Sequence, residues 1–138
     1  MRIFLDANVL VSVLNKEFPL FTYSSRVLSL ANNQKFTVST SPHCLAIAFY
    51  FAEKKHGTNM ARKKISLLIE HLRCTTIDEK CVRDVEKNKK IHDFEDGLQY
   101  YSAIGDACKC IVSEDKSGFY YSEIEVLTSR QFIEKYVL

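Results

Sequence analysis

Aspartates are the residues of this chain best suited to chemistry. Asp6 ends the run Arg2-Ile3-Phe4-Leu5, Asp115 follows the apolar pair Ile111-Val112, and Asp93 and Asp96 stand three residues apart in Asp93-Phe94-Glu95-Asp96-Gly97. On a helix that spacing puts Asp93 and Asp96 on one face, with Tyr100 a turn beyond. Two readings of the block are open. As a helix start, Asp93 is the N-cap, and Glu95 and Asp96 fill the first turn, where the helix dipole favours negative charge. As a site, carboxylates facing Asp6 from another element make a hard-cation centre suited to Mg²⁺ or Mn²⁺. The second reading requires a fold that brings acids distant in the chain to one place.

The alternation of elements supplies such a fold. A short apolar run stopping at a carboxylate reads as a buried parallel strand with Asp6 at its carboxyl end, the edge at which open α/β sheets bind ligands. Asn8 is the expected N-cap of a first helix carrying Val9, Leu10, Val13 and Leu14, which the segment from Asn15 to Pro19 breaks. A second helix is predicted from about Tyr23 to Asn32, then a strand over Phe36 to Thr40. Ser41-Pro42 has the form of an N-cap followed by proline at the first helical position, and that helix should run to His56-Gly57. Further helices are expected over Asn59 to Leu72, from Asp78 or Glu79, and over Asp93 to Ile104, with strands at Cys74 to Ile77 and Cys108 to Ser113. A brief strand at Val126-Leu127 precedes Thr128-Ser129-Arg130-Gln131, a capping box opening a last helix. The expected architecture is α/β: a single three-layer domain over residues 1–138, whose mostly parallel sheet of four or five strands carries helices on both faces.

Composition is that of a soluble globular protein of 138 residues, 46% hydrophobic and 26% charged. The sequence has neither a run long enough to span a membrane nor a signal-like amino terminus, which predicts a cytoplasmic protein. A net charge of +2 does not by itself announce a nucleic-acid binder. The basic residues are nonetheless grouped, with Lys54, Lys55, His56, Arg62, Lys63 and Lys64 in one patch and Lys80, Arg83, Lys87, Lys89, Lys90 and His92 in another. Each patch is either the solvated face of a helix or, beside a phosphate-handling site, a track for a nucleic-acid backbone. Five cysteines without zinc-type spacing read as reduced, buried packing residues. The histidines have no partner at metal spacing.

The opening Ile3-Phe4-Leu5-Asp6-Ala7-Asn8-Val9-Leu10, the block Asp93 to Asp96 running into Gln99-Tyr100-Tyr101-Ser102-Ala103, and the closing Ser122-Glu123-Ile124-Glu125-Val126-Leu127-Thr128 resemble the PIN domain in order and spacing. The resemblance implies a metal-dependent ribonuclease, of the kind that includes the toxins of bacterial toxin–antitoxin pairs. In such enzymes three or four carboxylates at the sheet's carboxyl edge hold one or two Mg²⁺ or Mn²⁺ ions, which activate water against a phosphodiester. By motif match Asp6 is the first acid and Asp96 the acid of the late helix. Two further acids that the resemblance leads one to expect are replaced, one at Ala46 and one at Gly118 before Phe119. Asp115, Glu114 and Asp93 are candidates to fill in, and Asp115 reads equally as a solvated turn residue. Each lost carboxylate removes several kcal/mol of attraction to a divalent ion before desolvation, by the roughly 4 kcal/mol of a unit charge pair about 4 Å apart. The expectation is one weakly bound ion or none.

Three functions follow from these residues. The first is an endoribonuclease in which Asp6 and Asp96 hold the ion, Asp93 or Asp115 orients the water, and Lys54, Lys55, Arg62, Lys89 and Lys90 receive RNA; its partners would be a small antitoxin and a second copy in a homodimer. The second is a catalytically impaired PIN-like module that binds RNA or a protein, with Tyr120 and Tyr121 as stacking residues. The third is phosphoryl transfer through Asp6, because Asp6-Ala7-Asn8 resembles the start of haloacid-dehalogenase-type phosphatases. That chemistry wants an acid where Asn8 stands, since a neutral amide is no general acid.

Overall fold

Five short strands form the centre of the computed structural model, which describes residues 1–138. They are β1 (Arg2–Leu5), β2 (Thr37–Thr40), β3 (Arg73–Cys74), β4 (Cys110–Val112) and β5 (Glu125–Leu127), in the order β3-β2-β1-β4-β5. Every pairing is parallel, with Ile3 opposite both Val38 and Cys110. Both faces of β1 must therefore be apolar, and Ile3, Phe4 and Leu5 are fully buried.

The helices are α1 (Ala7–Leu14), α2 (Phe21–Ser29), α3 (Pro42–His56), α4 (Thr58–Ile69), α5 (Glu79–Lys87), α6 (Phe94–Gly105) and α7 (Ser129–Tyr136). From β1 the chain steps outward through β2 to β3, then returns to the other side of β1 for β4 and β5. Right-handed crossovers put α1 to α4 on one face and α5 and α6 on the other. The packing agrees: α1 lies against α2 and α3, α3 against α4, and α2 against α7, while α5 packs on α6. No helix is long and apolar enough to cross a membrane.

Most predicted elements stand within a few residues of their expected limits, and the departures have local causes. Asn8 is not the N-cap of α1. Asp6 is, accepting the Ala7 N–H at 2.8 Å. Strand β3 is only Arg73–Cys74, because Thr75 already turns its hydroxyl to Ser102 on α6. Cys74 is exposed, unlike the other four cysteines, so it is not a packing residue. Below the sheet, Asp106 at the end of α6 accepts Arg73 Nε at 3.1 Å and Ser39 Oγ at 3.3 Å, with Arg2 Nη1 at 3.6 Å, which ties the three strands on that side together.

The order of strands reverses at β1 and β4. Their carboxyl ends diverge there, which leaves the crevice at a topological switch point.

Candidate active site

Asp6 is fixed before anything else in that crevice. The backbone leaves β1 and enters α1 at this residue, so one carboxylate oxygen serves the helix and the other faces β4. Oδ1 accepts the Ala7 N–H and lies 3.9 Å from the Cys44 thiol, while Oδ2 accepts the Ser113 hydroxyl at 2.8 Å. Ser113 ends β4, and its Oγ also accepts the Asn8 amide and the Asp115 N–H, both at 3.2 Å. Asn8 Oδ1 takes the Glu114 N–H at 3.1 Å, so this amide clamps the loop after β4 to the start of α1. Burial pushes the Asp6 carboxyl above its usual range, and the hydrogen bonds from Ser113, Ala7 and Cys44 pull the other way.

Asp96 arrives from the opposite layer. Asp93 caps α6 by accepting the Asp96 N–H at 3.0 Å, which sets the first turn and directs Asp96 inward. Burial, then the negative charges of Asp93, Asp6, Glu95 and Asp115, push the Asp96 carboxyl up to about 7. Its tight neighbour is Gly118, where a Cβ would stand 2.3 Å from Asp96 Oδ2. A side chain at 118 would have to displace this carboxylate, so Asp96 in its present rotamer requires glycine there.

Asp6, Asp96 and Asp115 line one cavity of about 370 Å³, together with Glu17 and Glu95. Five of its twelve lining residues are thus carboxylates, and none is Lys, Arg or His. His43 Nε2 lies 3.3 Å from Glu95 Oε2, within ion-pairing distance but out of line for a hydrogen bond. Charge of this density with no basic residue on the wall is the chemistry of a cation site, and the hard oxygen donors suit Mg²⁺ or Mn²⁺. No three Asp, Glu, His or Cys side chains are drawn together at ligating distance, as mutual repulsion dictates for bare carboxylates. The donor set fits such an ion in type, and the ion itself would have to draw the ligands in.

Several sequence-predicted residues stand elsewhere. Asp93 is exposed and engaged as a cap, so it acts on the cavity through its charge and not as a lining group. Ala46 is exposed, and the residues of α3 that line the cavity are its neighbour Ile47 and, a turn further on, Phe51. Lys54, Lys55, Arg62, Lys89 and Lys90 do not line the cavity; Lys55 donates to the Asn15 carbonyl at the end of α1, and Lys54 lies over the Tyr50 ring. Tyr120 is exposed and stacks on His92, whereas Tyr121 is half-buried against Tyr100.

Sequence reasoning missed the apolar annex of the cavity formed by Val11, Leu20, Ile47 and Phe51, and it missed Gln99. A signal for Gln99 was present, since it stands three residues after Asp96 on the face of α6 that carries the acid.

Sequence and fold comparisons agree with this geometry. The family described as the PIN domain matches residues 2–117, a span that takes in Asp6, Asp96 and Asp115. Ribonuclease VapC1 of Aquifex aeolicus (strain VF5) is 31% identical over 138 residues, covering 98% of this chain and 95% of that protein. Among solved structures, VapBC2 from Rickettsia felis bound to a DNA fragment from its promoter superposes at a TM-score of 0.67, with 22% identity, over 92% of this chain and 97% of that one. VapC20 of Mycobacterium tuberculosis, a toxin that cleaves the sarcin-ricin loop, gives 0.69 at 14% identity over 90% and 98%. At those identities the two structures speak for the fold, while the family match and the full-length relative speak for descent: the chain belongs to the PIN domain family.

Proposed function

We propose that this chain is a divalent-metal-dependent endoribonuclease of the toxin type, with its PIN domain spanning residues 1–138. One observation carries the reading. Asp6, Asp96 and Asp115, from three separate stretches, line a single cavity of high negative charge at the carboxyl ends of β1 and β4. The relative named a ribonuclease, similar over its length, supports the same conclusion.

Asp6, Asp96 and Asp115 would hold the ion, Mg²⁺ or Mn²⁺, bound weakly and singly because Ile47 stands where α3 could have contributed another ligand. When bound, the cation offsets charge on the phosphodiester and lowers the pKa of water. The chain's own groups do the rest. Ser113 and the Ala7 N–H hold Asp6 in one orientation, so that ligand is preorganised. Asp115, which is exposed and lines the cavity, orients the attacking water in place of Asp93, which does not line it. Lys54, Lys55, Arg62, Lys89 and Lys90 lie outside the cavity and take up RNA backbone at a distance from the reaction. The apolar annex gives an unstacked base a dry surface at Leu20 and Phe51. The protein partners are a small antitoxin and a second copy of the chain.

Cleavage of single-stranded RNA on addition of Mn²⁺, its reversal by a chelator and its loss in Asp96→Asn are the expected results. The competing reading is a module that binds RNA without cutting it, and Ala46 and Gly118, which stand where two acids were expected, favour it. RNA binding with no turnover under either metal would decide for that module.

A further inference from the structure

Gln99 has 1% of its surface exposed, and it is the one large polar side chain among the fully enclosed residues. It projects from the same face of α6 as Asp96, and both line the cavity. Its Oε1 accepts the Ser41 hydroxyl proton. That proton is available because Ser41 Oγ, as N-cap of α3, is itself the acceptor of the Cys44 N–H at 3.0 Å. Turning the amide over would aim Oε1 into a space lined by five carboxylates, so the charge around the cavity selects the orientation with nitrogen inward. In that orientation Nε2 is buried and has no hydrogen-bond partner in the protein.

Folded chains rarely leave an amide N–H pair in this state, and a leucine or methionine would occupy the place without any such penalty. An acceptor that enters the cavity satisfies it: water in the free chain, and a substrate oxygen that displaces that water in the complex. Only two side chains on its wall carry N–H groups, and Asn8 Nδ2 is engaged with Ser113. Gln99 keeps both hydrogens. A phosphodiester brought to Asp6 and Asp96 presents two non-bridging oxygens, whose charge grows as water attacks. A neutral donor can meet one of them without disturbing the acidic ligand set, as a lysine or arginine in the same place would.

We propose that the Gln99 amide is a substrate-binding group that donates from Nε2 to a non-bridging oxygen of the scissile phosphate, with Ser41 locking the amide in the donating orientation. The assignment rests on the nuclease reading of this cavity. It gives Gln99 a role in holding the phosphate and in stabilising the charge that develops on it.

The test uses the full chain labelled with ¹⁵N. The Gln99 side-chain resonances, assigned by their absence in Gln99→Met, are followed during titration with an RNA octanucleotide in Ca²⁺. Expected is a saturable shift of the Gln99 pair at the same RNA concentration as the backbone amides around Asp6 and Asp96. Movement of those backbone amides with the Gln99 pair unmoved overturns the assignment and leaves the nuclease reading intact. If no resonance around the cavity responds to RNA, the nuclease reading falls and the assignment falls with it. In parallel, Gln99→Met should slow Mn²⁺-dependent cleavage on the order of 100-fold. It should also erase the difference between the two phosphorothioate diastereomers at the cleavage site. A folded Gln99→Met chain that cuts at the parent rate with that difference retained overturns the assignment; should the variant fail to fold, the titration of the unaltered chain decides.

Discussion

Asp96 stands in an environment that penalises its charge, and the proposed metal site would account for an acid kept there. Its carboxyl is pushed up to about 7 by burial and by four neighbouring acids, a penalty relieved by a proton or by a bound cation. Asp96→Asn should therefore cut Mn²⁺-dependent RNA cleavage at least about 100-fold. The same change should raise stability at pH 8 by up to about 1 kcal/mol, the remainder being screened by water at this half-exposed site. Urea denaturation beside an RNA cleavage assay checks both signs, and a destabilised variant would contradict this account of the charge. Gly118 offers a second separation of stability from activity. A methyl group there would stand 2.3 Å from Asp96 Oδ2, and the clash is with the free end of a side chain, not with backbone. In Gly118→Ala the carboxylate swings away. Stability should change by less than about 1 kcal/mol, while cleavage falls on the order of 100-fold, the cost of misplacing a reacting group by about 1 Å.

Helix α3 shows how local chemistry and helix phase divide the work of positioning the site. Its ends were legible in the sequence: Ser41-Pro42 opens it by capping the Cys44 N–H, and Gly57 closes it. Gly57 has φ 85° and ψ 166°, a conformation essentially reserved for glycine, and nothing lies within 4 Å of where a Cβ would stand. Gly57→Ala therefore isolates backbone strain, and the fold should lose about 1–3 kcal/mol with the cavity untouched. Chevron or equilibrium unfolding in urea would measure it, and an unchanged midpoint would refute the assignment. Helix phase was harder to read. Ala46 and Ile47 are about 100° apart around the helix axis, and Leu45-Ala46-Ile47-Ala48-Phe49 is apolar on all sides, so no polar face marks which residue meets Asp6. At the start of α1 the difficulty was different. Asp6 and Asn8 are both good caps, and the choice fell to Asp6 because Ser113 and the Glu114 N–H, over a hundred residues away, claim Asn8. The α6 acids were legible because they stand three residues apart on one turn: Asp93 caps, and Asp96 lines the cavity. Of the two readings left open for that block, the helix start holds for Asp93, and the cavity-lining place of Asp96 is what the site reading requires.

Taken together, the chain is weakly basic, at +2, yet its crevice holds five carboxylates with no basic residue on the wall. The fold as a whole therefore bears a cost that depends on pH. With its pKa near 7 folded against an ordinary 3.8, Asp96 keeps a proton between those values that the unfolded chain has already released. Stability must then fall as pH rises through that window, and level off above about 7. Asp6, also pushed upward, acts in the same direction. On the proposed function, a divalent ion held by Asp6, Asp96 and Asp115 would reverse the trend, because it would bind the folded chain and compete with the protons. At ten times its Kd the ion adds about 1.4 kcal/mol, or roughly 5 °C in Tm for a domain of this size. The expected result in thermal melts is a Tm that declines from pH 5 to pH 7.5 without metal, a rise with Mn²⁺ that is several-fold larger at pH 8 than at pH 5, and near loss of both effects in Asp96→Asn. A metal-induced rise of equal size at both pH values would place the ion away from these acids, because protonation of Asp96 could not then be what it competes with.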